Sequence, residues 1–523
     1  MKHLNPMESN ASTSVFEMPQ PDTELSALCR EVEQIAEQDP KILILITADQ
    51  DKHAKEKKKN RIYDRQWRQS KLTPLPGMDP DLEIEIEAKE LTLEEGRKRM
   101  APQVVLFFFV LRGYIGGFKS KATQTFVRES MTIHNFLEHN GIKMPGWSTI
   151  IDNVNQVCNE TRSYILNSQL AGILGEELDD LAELTIDSTA VSANACWPTD
   201  SGILLQLVER IWRLGQRLDK FGINNIAPRR FAYIIKLLKQ YHKSICMSAG
   251  KKNSREKIKN LYRKALKESK SVFNAFEKEM VKVSRAVVGI DIEPTKLLQL
   301  SRMAEIMNAD VENLAKVISY CTDRIEHEKT VKSNEKIMSN SDKDAAFIQK
   351  GQREAVIGYK PQVGRSQKGF ITCINVPEGN AADSGQLEPM VDQHIERTGT
   401  VPGIVSTDDG YASADGKRNV EEKGVGIVSI SGAKGKKITP EKDWESDPFI
   451  DARNNRSSVE SLMFTIKHNH HFGRVMRRGI TAVRAELLEK VLAYNFCRII
   501  EIRSRSKESE DPVPDLKRRL SAA

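Results

Sequence analysis

The chain has 523 residues and 39% hydrophobic content, which excludes wholesale disorder and exceeds what one ordinary core holds, so roughly two to four domains are expected. Its formal charge is +7, with 29% charged residues of both signs, a balance that suits an anionic partner without requiring one. The seven cysteines (Cys29, Cys158, Cys196, Cys246, Cys321, Cys373 and Cys497) form no Cys-x-x-Cys pair and no metal-type spacing with histidine, which argues against a zinc site or a disulfide framework and fits a reducing cytoplasm.

Residues 1–22 read as a loose polar tail without the basic stretch and apolar core of a secretory signal. A short helix is predicted around 23–37. The dense cationic run DKHAKEKKKNRIYDRQWRQSK (51–71) contains Tyr63 and Trp67. It is either a solvated helix face or a phosphate-contacting segment with aromatic support. The acidic, Pro-bearing stretch 72–95 reads as a linker. VVLFFFVL (104–111) is too short to span a bilayer and predicts a buried helix or strand. MTIHNFLEHNG (131–141) predicts an amphipathic helix ended by Asn140-Gly141. After Pro145-Gly146, a second helix is predicted over 147–166. The pair has the form of a helix-turn-helix that reads DNA, a form that helical bundles share.

ELTIDSTAVSA (183–193) alternates apolar and polar residues with β-branched enrichment, which predicts a strand. A helix follows, with Asp200 or Ser201 as its N-cap. From there to about 350 the chain reads as Lys/Arg-rich and helical, without a strand; 251–287 is a long amphipathic example, and 329–344 reads as an exposed connector. After 354 come two or three short strands with Gly turns, a helix (PMVDQHIERTG), a buried strand ending in acids (GIVSTDDGYAS), another strand (425–430), the helix bearing Glu460, a further helix, and a polar tail. A mixed α/β sheet interrupted by one helical insertion accounts for this order. The insertion is too long and regular to be a loop.

Among 72 acidic residues, position selects the candidates. Asp187 sits within an apolar strand, where a carboxylate is costly unless paired or metal-bound. Asp408 and Asp409 close another strand, at the carboxyl end where α/β sites tend to lie, and Gly410 permits a tight turn. In NNRSSVESLMFTIKHNHH, Arg456 and Lys467 flank Glu460 on one helical stripe. A carboxylate between two cations suits a metal ion and a phosphodiester held together. Two strand-borne Asp and this Glu, converging over a sheet, would hold two Mg²⁺ or Mn²⁺ ions about 4 Å apart for phosphoryl transfer. The same spacing also arises if Asp187 caps a turn, Asp408 and Asp409 form an Asx turn, and Glu460 pairs with Lys467. His468, His470 and His471 at a helix end suit contacts with helix carbonyls or phosphate better than a transition metal.

Taken together, these blocks resemble the DDE transposases of bacterial insertion sequences, in the branch with a Tyr-Arg-Glu-Lys signature near its third acid. DSTAVSANACWPTDSGILLQLV (187–208) resembles the first-acid block, KPQVGRSQKGFITCINVPEGNAADSGQLEPMV the strands leading to the second, and STDDGYAS the acid-x-Gly-aromatic turn, which selects Asp408 over Asp409. Arg456, Glu460 and Lys467 match the signature, whereas Arg453 stands where its Tyr would fall. The resemblance covers about 125–205 and 350–500.

The resemblance implies an α/β ribonuclease-H-like catalytic core, a mixed sheet flanked by helices (171–205 plus 350–505), interrupted by an all-α insertion (206–349). A helical N-terminal region (1–170) would bind DNA ends, and 506–523 would be a disordered tail. It implies Asp187, Asp408 and Glu460 as catalytic ligands of two Mg²⁺ ions, with Mn²⁺ substituting and no other cofactor. Arg456, Lys467, Arg453, His468 and His470 would contact DNA. Trp197 would stack on a base or pack beneath the sheet. The expected partners are the terminal inverted repeats and target DNA, engaged by a homodimer or higher oligomer at the bacterial nucleoid, with no membrane. The competing readings are an inactive DNA-binding relic, a metal-dependent nuclease on the same core, and a non-enzymatic helical scaffold.

Overall fold

The computed structural model describes residues 24–69, 99–118, 120–195, 199–221, 230–332, 335–350 and 354–510. The expected tail at 1–22, the linker at 72–95, Trp197 and the chain beyond Glu510 lie outside the described residues.

Ahead of the first strand lie helices α1 (Glu24–Gln38), α2 (Lys41–Gln69), α3 (Pro102–Tyr114), α4 (Lys121–Glu129), α5 (Met131–His139), α6 (Trp147–Gln156) and α7 (Asn159–Gly175). Pro102 opens α3, where its missing N–H costs nothing. Val104–Leu111 is buried throughout, as a helix apolar on every side must be. The single helix expected over 147–166 is two. The Asp49 carboxylate accepts the Cys158 N–H at 2.9 Å and the Thr161 hydroxyl at 2.7 Å, and the Cys158 thiol accepts the Thr161 N–H at 3.4 Å. These bonds hold Cys158 extended and start α7 afresh. At the far end of the cationic α2, the Trp67 indole donates to Asp291 at 3.0 Å, and Asp64 accepts from Thr295. Trp67 is thus engaged within the protein.

Strands β1 (Glu183–Ser188) and β2 (Val191–Ser192) are followed by α8 (Asp200–Asp219), α9 (Arg230–Ser248), α10 (Arg255–Gly289) and α11 (Pro294–Glu326). The N-cap of α8 is Thr199 rather than Asp200 or Ser201; its hydroxyl accepts the Gly202 N–H at 3.2 Å from an extended backbone. These four helices bury their own apolar cluster, including Leu207, Ile211, Phe276, Leu300 and Leu314. The stretch 329–344, expected to be an exposed connector, has Ser339, Asn340 and Asp342 buried, with Asp342 accepting the Tyr359 hydroxyl at 2.6 Å.

The second half contains β3 (Ala346–Ile348), β4 (Val356–Tyr359), β5 (Gln362–Arg365), β6 (Ile371–Asn375), α12 (Leu387–Thr398), β7 (Ile404–Thr407), α13 (Ala414–Glu422), β8 (Ile427–Ile430), α14 (Ala433–Ile438), α15 (Glu441–Trp444), α16 (Asp447–Asn455), α17 (Ser457–Asn469) and α18 (Ile480–Glu510). β3 lies in a region expected to lack strands; at three residues it is too short to show periodicity. Helix α18 runs to Glu510, past the expected start of a disordered tail at 506. Arg503 anchors it to Glu176 and Glu31 of the N-terminal helices.

One sheet has the order β6-β5-β1-β7-β8, with β1, β7 and β8 parallel and β5 antiparallel to both β1 and β6. A second, antiparallel sheet has the order β2-β4-β3. Leu184, Ile186, Cys373 and Val405 pack on Leu387, Met390 and Val420 of α12 and α13. Val363, Ile371 and Ile374 join a larger cluster with Val459 and Ile466 of α17 and Leu487 of α18. Helices therefore cover both faces of a mixed sheet, consistent with a ribonuclease-H-like core. Between α3, α7 and α18, the buried Glu489 carboxylate accepts from Arg112 at 2.7 Å, Arg477 at 2.7 Å and Arg162 at 3.1 Å. No helix among the described residues is long and apolar enough to cross a membrane.

Candidate active site

β1 and β7 run side by side, with Glu183 opposite Ile404 and Thr185 opposite Ser406. The same register carried two residues further sets Asp187 beside Asp408, on strands spaced about 4.8 Å apart. Ligand sites of open α/β sheets gather at such carboxyl ends. The Asp187 side chain is 16% exposed, and Lys350 Nζ lies 3.6 Å from its Oδ1. Burial pushes the Asp187 carboxyl above its ordinary value, Lys350 counters this, and the charge of Asp408 pushes it further up.

Asp408 and Asp409 have different partners. Asp409 Oδ1 accepts the N–H groups of Lys434 at 2.7 Å and Gly435 at 3.1 Å at the start of α14. A side chain at Gly432, with φ +103, would meet the Asp409 Cβ at 2.6 Å. Asp408 accepts the Gly410 N–H at 2.9 Å, closing the 3₁₀ turn Asp409–Tyr411, and stays within electrostatic reach of Asp187.

Asp383 also lies here. Its Oδ1 is 2.8 Å from Lys360 Nζ and 2.8 Å from Gln362 Nε2, and Gln362 accepts the buried Tyr411 hydroxyl. Burial pushes the Tyr411 phenol well above its ordinary value, and Asp383, Asp187 and Asp408 all add to that. Sequence reasoning missed Asp383, Lys350, Lys360 and Gln362. The available signal was Lys360 itself, a charge set directly after the apolar run VIGY, where it needs a buried partner.

Glu460 is in the first turn of α17. Its side chain is 62% exposed and accepts from Arg456 at 3.0 Å. Arg456 joins α16 to α17 with a helical backbone, and its charge favours ionised Asp187. Arg456 thus stands electrostatically between Glu460 and Asp187. Lys467 is half-buried, its stem beside Gly473. Arg453 lies over the Trp444 ring at 4.6 Å, a cation–π contact at the position where the signature has Tyr. The histidines diverge. The His468 ring packs on Phe464 at 4.3 Å, His470 meets Tyr494 edge-on at 5.1 Å, and His471 lies against Gly116. Burial lowers the His470 and His471 rings below their ordinary value.

Among the described residues, no three His, Cys, Asp or Glu side chains come together closely enough to hold one ion. The Asp187–Asp408 pair is an all-oxygen donor set of two charges with a lysine as counter-ion, which fits a hard divalent cation. Glu460, turned to Arg456, does not join that pair in this arrangement.

No curated protein and no solved structure matches the chain. Residues 318–496, about a third of its length, match the family described as the transposase DDE domain; the match spans β3 to β8, Asp408 and Glu460 but not Asp187, and supports a DDE transposase.

Proposed function

We propose that this protein is a metal-dependent transposase of a DNA insertion element, which cleaves at the element's ends and joins the freed 3′-hydroxyls to target DNA. The observation that carries this reading is the pairing of two aspartates at the carboxyl ends of adjacent parallel strands, in a chain that matches the transposase DDE domain.

Asp187 and Asp408 would hold the divalent cations, Mg²⁺ or Mn²⁺, with Glu460 completing the set once Arg456 turns from it to a DNA phosphate. Such ions polarise a phosphodiester and activate an attacking oxygen. The protein's own contribution is positioning. Arg456, Lys467 and Arg453 would grip phosphates near the scissile bond, with His468 and His470 at the helix end beside them. Asp409 fixes the turn after β7 by capping α14. The helices of 1–170 would read the terminal inverted repeats, and the helical block at 206–349 would contact DNA or pair subunits. Because two ends must be cut and joined together, at least a dimer would act.

The test is Mg²⁺- or Mn²⁺-dependent cleavage of a plasmid carrying the gene's own flanking DNA, with wild type against Glu460→Gln. Cuts at discrete flanking positions, lost in the variant, are expected. Cutting without positional preference would instead indicate a nuclease, and binding without cutting an inactive relic.

A further inference from the structure

Helix α17 buries Val459, Leu462, Met463 and Ile466 and turns Glu460, Phe464 and His468 outward. These three are spaced four residues apart, so they form one stripe with about 6 Å between neighbours along the axis. Phe464 is 65% exposed, the most exposed aromatic side chain among the described residues. Its ring does not point freely into solvent: the His468 ring packs on it at 4.3 Å between centroids, with 39° between planes. Two flat rings therefore form an outward platform one turn beyond Glu460, with Lys467 on the same helix and Arg456 at its N-cap.

We infer that Phe464 and His468 form a stacking site for an unpaired nucleobase of the DNA at the reacting end. The inference rests on the proposed transposase reading and extends it to a base-binding site. A single exposed apolar residue needs no explanation, but this one has flanking chemistry that selects its ligand. Lys467 on the helix and Arg456 at its N-cap suit a polyanion, and a paired aromatic surface suits a base whose π-face has left the duplex stack. A phosphate gripped by Arg456 or Lys467 brings the adjoining base over the ring pair. A protein partner would instead be expected to find a wider apolar patch, and the exposed neighbours of Phe464 on this helix are Glu460, Ser461 and His468.

The test compares two single-stranded dodecamers of equal charge, an oligothymidylate and its abasic counterpart, binding to the full chain by fluorescence anisotropy in Mg²⁺-free buffer. Wild type should favour the oligothymidylate. Phe464→Ala should weaken that binding roughly 5- to 150-fold, the range of a lost base–aromatic stack, and leave abasic binding unchanged. Phe464→Trp should restore the preference. Equal oligothymidylate affinity in wild type and Phe464→Ala would overturn the stacking site and leave the transposase reading standing. So would an equal loss for both oligomers, or a change of oligomeric state in Phe464→Ala. Wild type that binds neither oligomer nor duplex DNA would overturn both readings.

Discussion

Asp187 and Asp408 come from strands separated by 215 residues of chain, between Ser188 and Ile404, yet stand level at the ends of two adjacent parallel strands. Lys350, at 3.6 Å, is the cation closest to Asp187 among its described ion pairs. The acids repel, burial opposes ionisation of Asp187, and Lys350, with a smaller contribution from Arg456, offsets part of both effects.

A cation bound between these two acids relieves that repulsion, so binding should stabilise the fold by mass action. At about 100-fold over its dissociation constant, Mn²⁺ should add roughly 2.7 kcal/mol. Thermal unfolding at pH 7 should show Tm rising with Mn²⁺ in wild type and remaining flat in Asp187→Asn and Asp408→Asn. A rise that persists in both variants would place the ion elsewhere.

Under the proposed function, Glu460→Gln should separate chemistry from folding. The residue is largely exposed, and its pair with Arg456 is an i,i+4 surface pair worth about 0.3–0.5 kcal/mol. Its loss should leave the melting curve nearly unchanged and lower DNA cleavage by orders of magnitude. A fully active Gln variant would remove Glu460 from the reaction.

Glu489 should act on the fold alone. Burial by itself would raise its carboxyl, but Arg112, Arg477 and Arg162 together hold it below its ordinary value. A depressed folded value means that this stability is present above the unfolded glutamate value and is lost as pH falls through the folded one. Glu489→Gln leaves the buried Arg112 and Arg162 and the half-buried Arg477 without their carboxylate and should cost about 3–5 kcal/mol in chemical denaturation at pH 7.

His394 gives a pH signature of its own. Burial lowers its ring to about 4 from an ordinary 6.5, while Nδ1 bonds Thr372 at 2.8 Å and Nε2 bonds the Leu181 carbonyl at 3.1 Å. The ring stays neutral in the fold and takes a proton in the unfolded chain. Stability is therefore complete above about 6.5 and lost as pH falls towards 4, by on the order of 3 kcal/mol. In His394→Gln that slope should flatten when unfolding is measured from pH 7 to pH 4.

Elements whose burial is written into consecutive residues were legible in the sequence. The run Val104–Leu111 is buried as expected, with helix or strand left open by the sequence, and the alternating β1 and the acid-tipped β7 form where periodicity and turn chemistry place them. Features set by distant partners were not. The break before α7 depends on Asp49, 109 residues from Cys158. The engagement of Trp67 depends on Asp291, 224 residues away. Asp383 occurs in a polar loop, and nothing local reveals that Lys360, Gln362 and Tyr411 gather around it. At Glu460, spacing placed Arg456 on the same stripe, but only the three-dimensional arrangement shows the carboxylate held by that arginine and apart from the two aspartates.

The helical block between β2 and β3 also sets the order of events during synthesis. β1 emerges from the ribosome long before β5 and β7, which pair with its two edges. Until residue 408 has been made, Asp187 lies on a strand that has lacked one or both neighbours and has no Asp408 beside it. A prematurely terminated chain would carry the N-terminal helices, the cationic α2 among them, without a paired acid site, so the aspartate pair can assemble only late in synthesis.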